Sequence, residues 1–387
     1  MIPYGRQQIT ESDIDAVVEV LRSDFITQGK KVPQFEEALT SYCGAKHAVA
    51  THSATSALHI ACLALGVDQG DIVWTSPISF VASANCAIYC GAKVDFVDID
   101  PDYYHISIPA LKTKLAQAQQ THSLPKVLIP VHMCGQSCDM ESIHQLSQQY
   151  GFHIIEDASH AVGGRYQNKA IGNCGLSDIS IFSFHPVKII TSGEGGMALT
   201  NNEELALRLR RLRSHGITSD KTEFKLRPAD EIWYYQQKEL GFNYRMTDIA
   251  ASLGTSQLER LDSIIEKRHA IARRYDQELK QLPITVPKQH PDSHSSYHLY
   301  PVLISRETSP KTQKEVFQAL HAANIRANLH YIPIYRQPFY EAMGFQPNTC
   351  PNAEQYYRET VSLPIYPTLT KDQQTFVIET LSETLTQ

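Results

Sequence analysis

Lys188 stands where a β-rich run, Ile179-Ser-Ile-Phe-Ser-Phe-His-Pro-Val-Lys188, breaks into a proline-containing turn, and Gly193-Glu-Gly-Gly196 follows it. A lysine at a strand end in apolar surroundings suits Schiff-base chemistry, because desolvation favours the neutral, nucleophilic amine. Glycines just beyond it let the backbone turn tightly and approach a bound group. A lone lysine in a loop is far more often an ordinary surface residue, so its company decides. Upstream, His153-Ile-Ile-Glu-Asp-Ala-Ser-His160 reads as a hydrophobic strand ending in Glu156-Asp157. A carboxylate at such an end can pair with a protonated pyridine nitrogen and make that ring an electron sink. It can also cap a helix or hold a metal. The 31 residues from Asp157 to Lys188 leave room for one connection and one further strand, so both groups can face one cleft.

Two further segments extend the set. His52-Ser-Ala-Thr-Ser-Ala57 follows a strand-like run and opens a helical one. Free N–H groups, the helix dipole and the Thr55 hydroxyl suit a phosphate, although a simple Ser/Thr cap is the other reading. Ser183, five residues before the lysine, can reach the same phosphate. Phe80, in Ser76-Pro-Ile-Ser-Phe-Val-Ala82, sits at a strand-to-helix junction, as a core residue or as a stacking surface for a flat ring. Phosphate cap, stacking aromatic, pyridine-pairing Asp157 and then Lys188 fit, in that order, one cofactor: pyridoxal phosphate.

These groups need a frame. From about residue 46 to 200, strand-like runs (47–51, 72–75, 94–99, 126–132, 153–157, 179–184) alternate with helical patterns (55–65, 79–89, 140–150, 203–214). That alternation argues for an α/β layered domain with a mostly parallel sheet. The expected organisation is an N-terminal arm and short helix over 1–45, a large cofactor-binding domain over 46–245, a long linking helix and proline-punctuated loop over 246–291, and a smaller α+β domain over 292–387. In the last, strands are expected at 298–304 and 326–331, with helices at 311–323, 353–360 and 371–384.

Composition narrows the function. The 387 residues carry a net charge of −6, so no basic face for nucleic acid is expected. Residues 1–15 lack a signal peptide's pattern and no run of 18 apolar residues occurs, so a cytoplasmic protein that neither enters nor spans a membrane is expected. The eight cysteines show no CxxC spacing; they read as reduced thiols, and no metal is called for. A nicotinamide cofactor is disfavoured, since no GxGxxG follows the first strand.

Over nearly its whole length the chain resembles the fold-type I, pyridoxal-phosphate-dependent sugar-nucleotide aminotransferases. The segments that carry the resemblance are Thr27-Gln-Gly29, Ser53-Ala-Thr-Ser-Ala57, Glu156-Asp-Ala-Ser-His-Ala161, Phe182-Ser-Phe-His-Pro-Val-Lys188, Gly193-Glu-Gly-Gly196, Arg213-Ser-His-Gly216 and Gly241-Phe-Asn-Tyr-Arg-Met246. Tyr166-Gln-Asn-Lys169, Trp233-Tyr-Tyr-Gln-Gln237, His298-Leu-Tyr-Pro301 and His330-Tyr-Ile-Pro-Ile-Tyr335 are most similar to the members that aminate C4 of a UDP-linked 4-keto-6-deoxy sugar for pseudaminic acid, a bacterial surface sugar. Relatives that are dehydratases have a histidine where this chain has Lys188.

The resemblance implies an aspartate aminotransferase-like fold and the following roles. Lys188 carries the cofactor and then moves protons, Asp157 pairs with the pyridine nitrogen, and His160 lies near the ring's phenolic oxygen. Ala54, Thr55 and Ser183 hold the phosphate, Phe80 stacks on the ring, and Asn243 reaches the phosphate of a partner subunit, so a homodimer with shared sites is implied. Tyr4, Asp24, Phe25, Ile26, Thr27, His330, Tyr331, Ile332 and Pro333 line the substrate cleft, with His185 and Arg245 as further substrate contacts. Glutamate is the implied amino donor, pyridoxamine phosphate the intermediate form, and a UDP-sugar the acceptor; a dTDP-, GDP- or other UDP-sugar is the alternative.

Overall fold

The computed structural model describes residues 1–225 and 231–386. Residues 226–230 of the expected large domain and Gln387 of the expected small one lie outside the described residues. In chain order the main elements are α1 (Glu11–Leu21), α2 (Lys31–Cys43), β1 (His47–Thr51), α3 (Ala54–Ala64), β2 (Ile72–Thr75), α4 (Ala82–Tyr89), β3 (Lys93–Phe96), α5 (Ile108–Gln120), β4 (Val127–Ile129), α6 (Met140–Tyr150), β5 (His153–Asp157), β6 (Ile179–Ser183), β7 (Gly196–Thr200), α7 (Glu203–Arg213), α8 (Asp248–Leu258), α9 (Leu261–Glu278), β8 (Tyr300–Leu303), α10 (Gln313–Ala322), α11 (Pro351–Glu359), β9 (Thr360–Leu363) and α12 (Lys371–Thr386).

The seven-stranded sheet has the order β1-β7-β6-β5-β4-β2-β3. All its pairs are parallel except those of β7, which runs against both β1 and β6. The strands read as unbroken apolar runs because both faces are covered. Val49, Ile129, Ile155 and Ile181 point into one core with α3, α4 and α7. Their neighbours Ala48, Ala50 and Phe182 point into a core with α2, α8 and α9, and Leu128 and Ile154 into one with α5 and α6. The result is helix, sheet, helix: an α/β architecture in three layers. A further core gathers Tyr300, Val302, Val316, Leu320, Val361, Leu363, Val377 and Leu381 with the C-terminal part of α9.

Several elements depart from the sequence reading. The helix expected over 246–280 is two helices that part after Leu258, where Arg260 leaves helical geometry and its guanidinium meets the buried carboxylate of Asp13 at 2.6 Å. The N-terminal arm holds α1, whose first turn is closed by a Thr10–Asp13 capping box. β7 went unread because its glycine-led start resembles a loop. The strand expected at 326–331 shrinks to Ile325–Arg326, and β8 pairs with β9, an unexpected strand that begins where the helix expected at 353–360 ends. Ile325–Arg326 pairs in parallel with Ile2–Pro3, which carries the chain's N-terminus to the cleft wall.

Candidate active site

A cleft of about 940 Å³ opens at the C-terminal edge of the sheet. In open α/β sheets this edge is where ligands sit, because loops and helix N-termini converge there. Parallel pairing sets Asp157 opposite Ile181, so the end of β5 and the turn after β6 that bears Lys188 share the cleft. β1 ends beside them, and Ser53 caps α3 by accepting from the Ser56 N–H at 3.1 Å. Gly196 makes that closeness possible: a Cβ there would lie 2.5 Å from the Ala54 nitrogen and from the Ser53 carbonyl group. Gly193 turns the chain back with φ of +83°, a conformation that side chains disfavour.

Of the expected residues, Ala54, Thr55, Phe80, Asp157, His160, Ser183 and Lys188 line the cleft, together with Tyr4, His185, His330, Tyr331 and Ile332. Asp24, Phe25, Ile26 and Thr27 do not. They form an exposed turn after α1, tied to the start of α8 by the Thr27–Thr247 bridge. Asn243 and Arg245 bridge Ser214 and Thr51 through the backbone, outside this chain's own cleft lining. Pro333 is buried behind the wall, just before Ile334, whose N–H donates to the Pro77 carbonyl at 2.9 Å. Ser79, Ser83, Ser159, Asn328 and Gln337 also line the cleft, and none of them is among the residues expected from sequence. Ser79 and Ser83 flank Phe80 four residues apart, a spacing that puts both on one side of a helix start. Asn328 and Gln337 belong to irregular chain and carry no such signal.

Asp157 is buried and held on both oxygens. Oδ2 accepts from the Ser83 hydroxyl at 2.6 Å, and Oδ1 accepts from the Ser159 N–H at 3.1 Å. The Lys188 amine is surrounded by protein, although its stem stays open to the cleft. Burial pushes the amine down and the Asp157 charge pulls it part of the way back, leaving it at about 8. Burial and the Lys188 charge hold His160 well below the usual imidazole range. The same two causes bring His330 down to about 3. Burial, then the His160 and Lys188 charges, do likewise to His298. All three rings are therefore neutral at physiological pH. The Tyr331 hydroxyl lies 3.3 Å from His160 Nε2. With Tyr331 donating, the imidazole proton sits on Nδ1, a buried atom with no protein partner.

These features fit pyridoxal phosphate. The first-turn N–H groups at Ala54 and Thr55 are the ones a helix leaves unpaired, and they suit its phosphate. Asp157 suits its pyridine nitrogen, the orphaned His160 Nδ1 suits a ring substituent, and Lys188 suits its carbonyl. Among the described residues no group of three His, Cys, Asp or Glu side chains could hold a metal ion. No helix among them is long and apolar enough to cross a membrane.

Comparison with known proteins agrees with this geometry. The model of the DegT/DnrJ/EryC1/StrS aminotransferase family matches residues 7–382. The chain is 39% identical over 382 residues to UDP-4-amino-4,6-dideoxy-N-acetyl-beta-L-altrosamine transaminase of Campylobacter jejuni, covering 98% of this chain and 96% of the relative. It is 38% identical over 385 residues to the spore coat polysaccharide biosynthesis protein SpsC of Bacillus subtilis, covering 99% and 96%. Helicobacter pylori PseC, an aminotransferase involved in the biosynthesis of pseudoaminic acid, superposes with a TM-score of 0.89 at 32% identity, covering 100% of this chain and 99% of its own. Streptococcus pneumoniae Spr1654, solved in PLP and PMP forms, gives 0.88 and 0.89 at 28% and 29% identity, covering 100% of this chain and 98% and 99% of its own.

Proposed function

The chain belongs to the DegT/DnrJ/EryC1/StrS aminotransferase family, and from that premise we propose that it moves an amino group from L-glutamate to C4 of UDP-2-acetamido-2,6-dideoxy-β-L-arabino-hex-4-ulose, a step toward pseudaminic acid. That it is a pyridoxal-phosphate-dependent sugar aminotransferase follows from the family and from the Lys188–Asp157 cleft. The observation that carries the choice of sugar is the near-full-length similarity to the Campylobacter jejuni transaminase.

Pyridoxal phosphate, when bound, supplies a carbonyl that carries the amino group between donor and acceptor and a ring that accepts electrons. The protein does the rest. Lys188, with an amine near 8, accepts or returns a proton at Nζ close to working pH, the condition under which general acid–base exchange is most effective. Asp157 fixes the electrostatics at the pyridine nitrogen. Ala54, Thr55 and Ser183 anchor the phosphate, and Phe80 covers the ring. Tyr4, His330, Tyr331 and Ile332 form the wall against which a sugar is positioned. The neutral imidazoles offer hydrogen bonds without adding charge beside the lysine.

A homodimer with shared sites completes this reading. Among the described residues Lys188 is the only Lys or Arg in the cleft lining, while the cofactor phosphate, a UDP-sugar and glutamate are all anionic. Asn243 and Arg245 lie on a neighbouring segment, near the exposed Phe25 and Ile26, where a second chain can bring them to a partner's cleft.

The test is the visible spectrum of the purified protein before and after addition of UDP-2-acetamido-4-amino-4,6-dideoxy-β-L-altrose. Conversion of the bound cofactor's band to that of its amine form is expected, and Lys188→Ala removes the band. A band that ignores this sugar and answers another 4-amino-6-deoxy nucleotide sugar moves the substrate. A protein that takes up no pyridoxal phosphate overturns the assignment.

A further inference from the structure

Asp157 does not meet the cleft alone. The Ser83 hydroxyl, on a residue with no exposed surface, lies 2.6 Å from Oδ2, and the Ser79 hydroxyl lies 2.7 Å from Ser83 Oγ. A serine has one hydroxyl proton. Ser83 must give its proton to the carboxylate, which accepts only, so Ser79 donates to Ser83 and the chain runs Ser79 to Ser83 to Asp157. The Ser159 N–H occupies the other oxygen. Ser83 and the Ser159 N–H both point protons at the carboxylate, and Ser79, Ser83 and Asp157 all line the cleft. Ser83 lies in the first turn of α4, and Ser79 and Phe80 lie in the turn that leads into it. Hydrogen bonds to a charged acceptor in a dry site are about twice as strong as neutral ones, and donors in series polarise one another.

We propose that Ser79 and Ser83 form a proton-donor relay that positions Asp157: it fixes the rotation of the carboxylate and keeps it an acceptor for the protonated pyridine nitrogen. Ser83 is a positioning residue, acting through Asp157. The proposal rests on pyridoxal phosphate occupying this cleft. Without Ser83, the carboxylate loses one of its two donors and is freer to rotate. The ring nitrogen is then held less firmly in its charged form.

The experiment uses the full-length protein stripped of cofactor and titrated with pyridoxal phosphate, and the same protein loaded with cofactor labelled with ¹⁵N in the ring. Ser83→Ala is expected to weaken cofactor binding about tenfold, the loss of one charge-assisted bond. It is also expected to move the ring ¹⁵N resonance toward that of neutral pyridine. Ser83→Thr, which keeps the hydroxyl, is expected to restore both. Ser79→Ala, one bond removed, is expected to move the resonance in the same direction by less. Cofactor affinity and ring resonance unchanged in Ser83→Ala overturn the relay. So does a shift that Ser83→Thr reproduces, because the hydroxyl is then not the cause. Wild-type protein that takes up no cofactor instead sinks the cofactor assignment, a distinct result.

Discussion

Replacing Lys188 by methionine in the cofactor-free protein should make the fold more stable while abolishing its activity. The amine has an ordinary value of 10.5 and is brought down to about 8 in the folded chain. Below 8 the lysine is charged in both states, and the folded state bears the whole desolvation cost. That depression corresponds to about 3 kcal/mol at 1.36 kcal/mol per pKa step, an upper figure because water in the open cleft reaches the stem. Between 8 and 10.5 the folded lysine has lost its proton while the unfolded one keeps it. Stability of the wild type therefore rises with pH through that window and the penalty disappears above it. Methionine has similar length and no charge, so Lys188→Met should gain up to about 3 kcal/mol at pH 7, about 2 at pH 9 and about 1 at pH 10. The assay is urea unfolding of both cofactor-free proteins at one protein concentration across that pH range, since assembly makes stability concentration-dependent. A variant no more stable than the wild type at pH 7, or an advantage that fails to shrink toward pH 10, refutes the reasoning.

Two other perturbations probe different parts of the site. Gly196→Ala drives a methyl group against the Ser53–Ala54 backbone, so it should cost about 1–3 kcal/mol of stability and weaken pyridoxal phosphate binding more than tenfold, read by unfolding and by cofactor titration. Co-expressed Lys188→Ala and Asn243→Ala chains should form hybrid dimers with one intact site in two, so the isolated hybrid should recover about half the wild-type activity, given two-fold symmetry; no recovery would place Asn243 in its own chain's site.

Much of this site is legible because strand ends are legible. Asp157 closes four consecutive buried residues, and β5 and β6 begin and end within a residue of the positions that hydrophobicity indicates. Parallel pairing then forces Asp157 and the Lys188 turn to one edge, which no local signal has to specify. What stayed hidden depends on tertiary contact. β7 has the apolar run of a strand, but its opening glycines are there for the close approach of Ser53, so local propensity reports a turn. The 246–280 segment keeps a helical period across a bend, because the bend is set by Arg260 reaching Asp13, residues far apart in the chain. Asp24–Thr27 and Asn243 fall outside the cleft of a single chain, and a linear sequence does not say whose cleft a segment faces.

The cleft works by limiting charge, and this yields a last test. Burial would drive the Lys188 amine further down, and the carboxylate of Asp157 is the one group that raises it. His160 and His330 are kept neutral partly by Lys188 itself, so they add no cation to oppose it. On the proposed reading Asp157 serves two partners: the ring nitrogen when cofactor is present, and the lysine when it is absent. Asp157→Asn preserves shape and removes the charge, so the Lys188 amine in the cofactor-free protein should titrate below about 8. The pH dependence of amine labelling at Lys188, located by peptide mapping, measures this directly. An amine that titrates at or above the wild-type value would mean that Asp157 does not act on the lysine across the cleft, and the balance between burial and one carboxylate would have to be replaced by another source of its position.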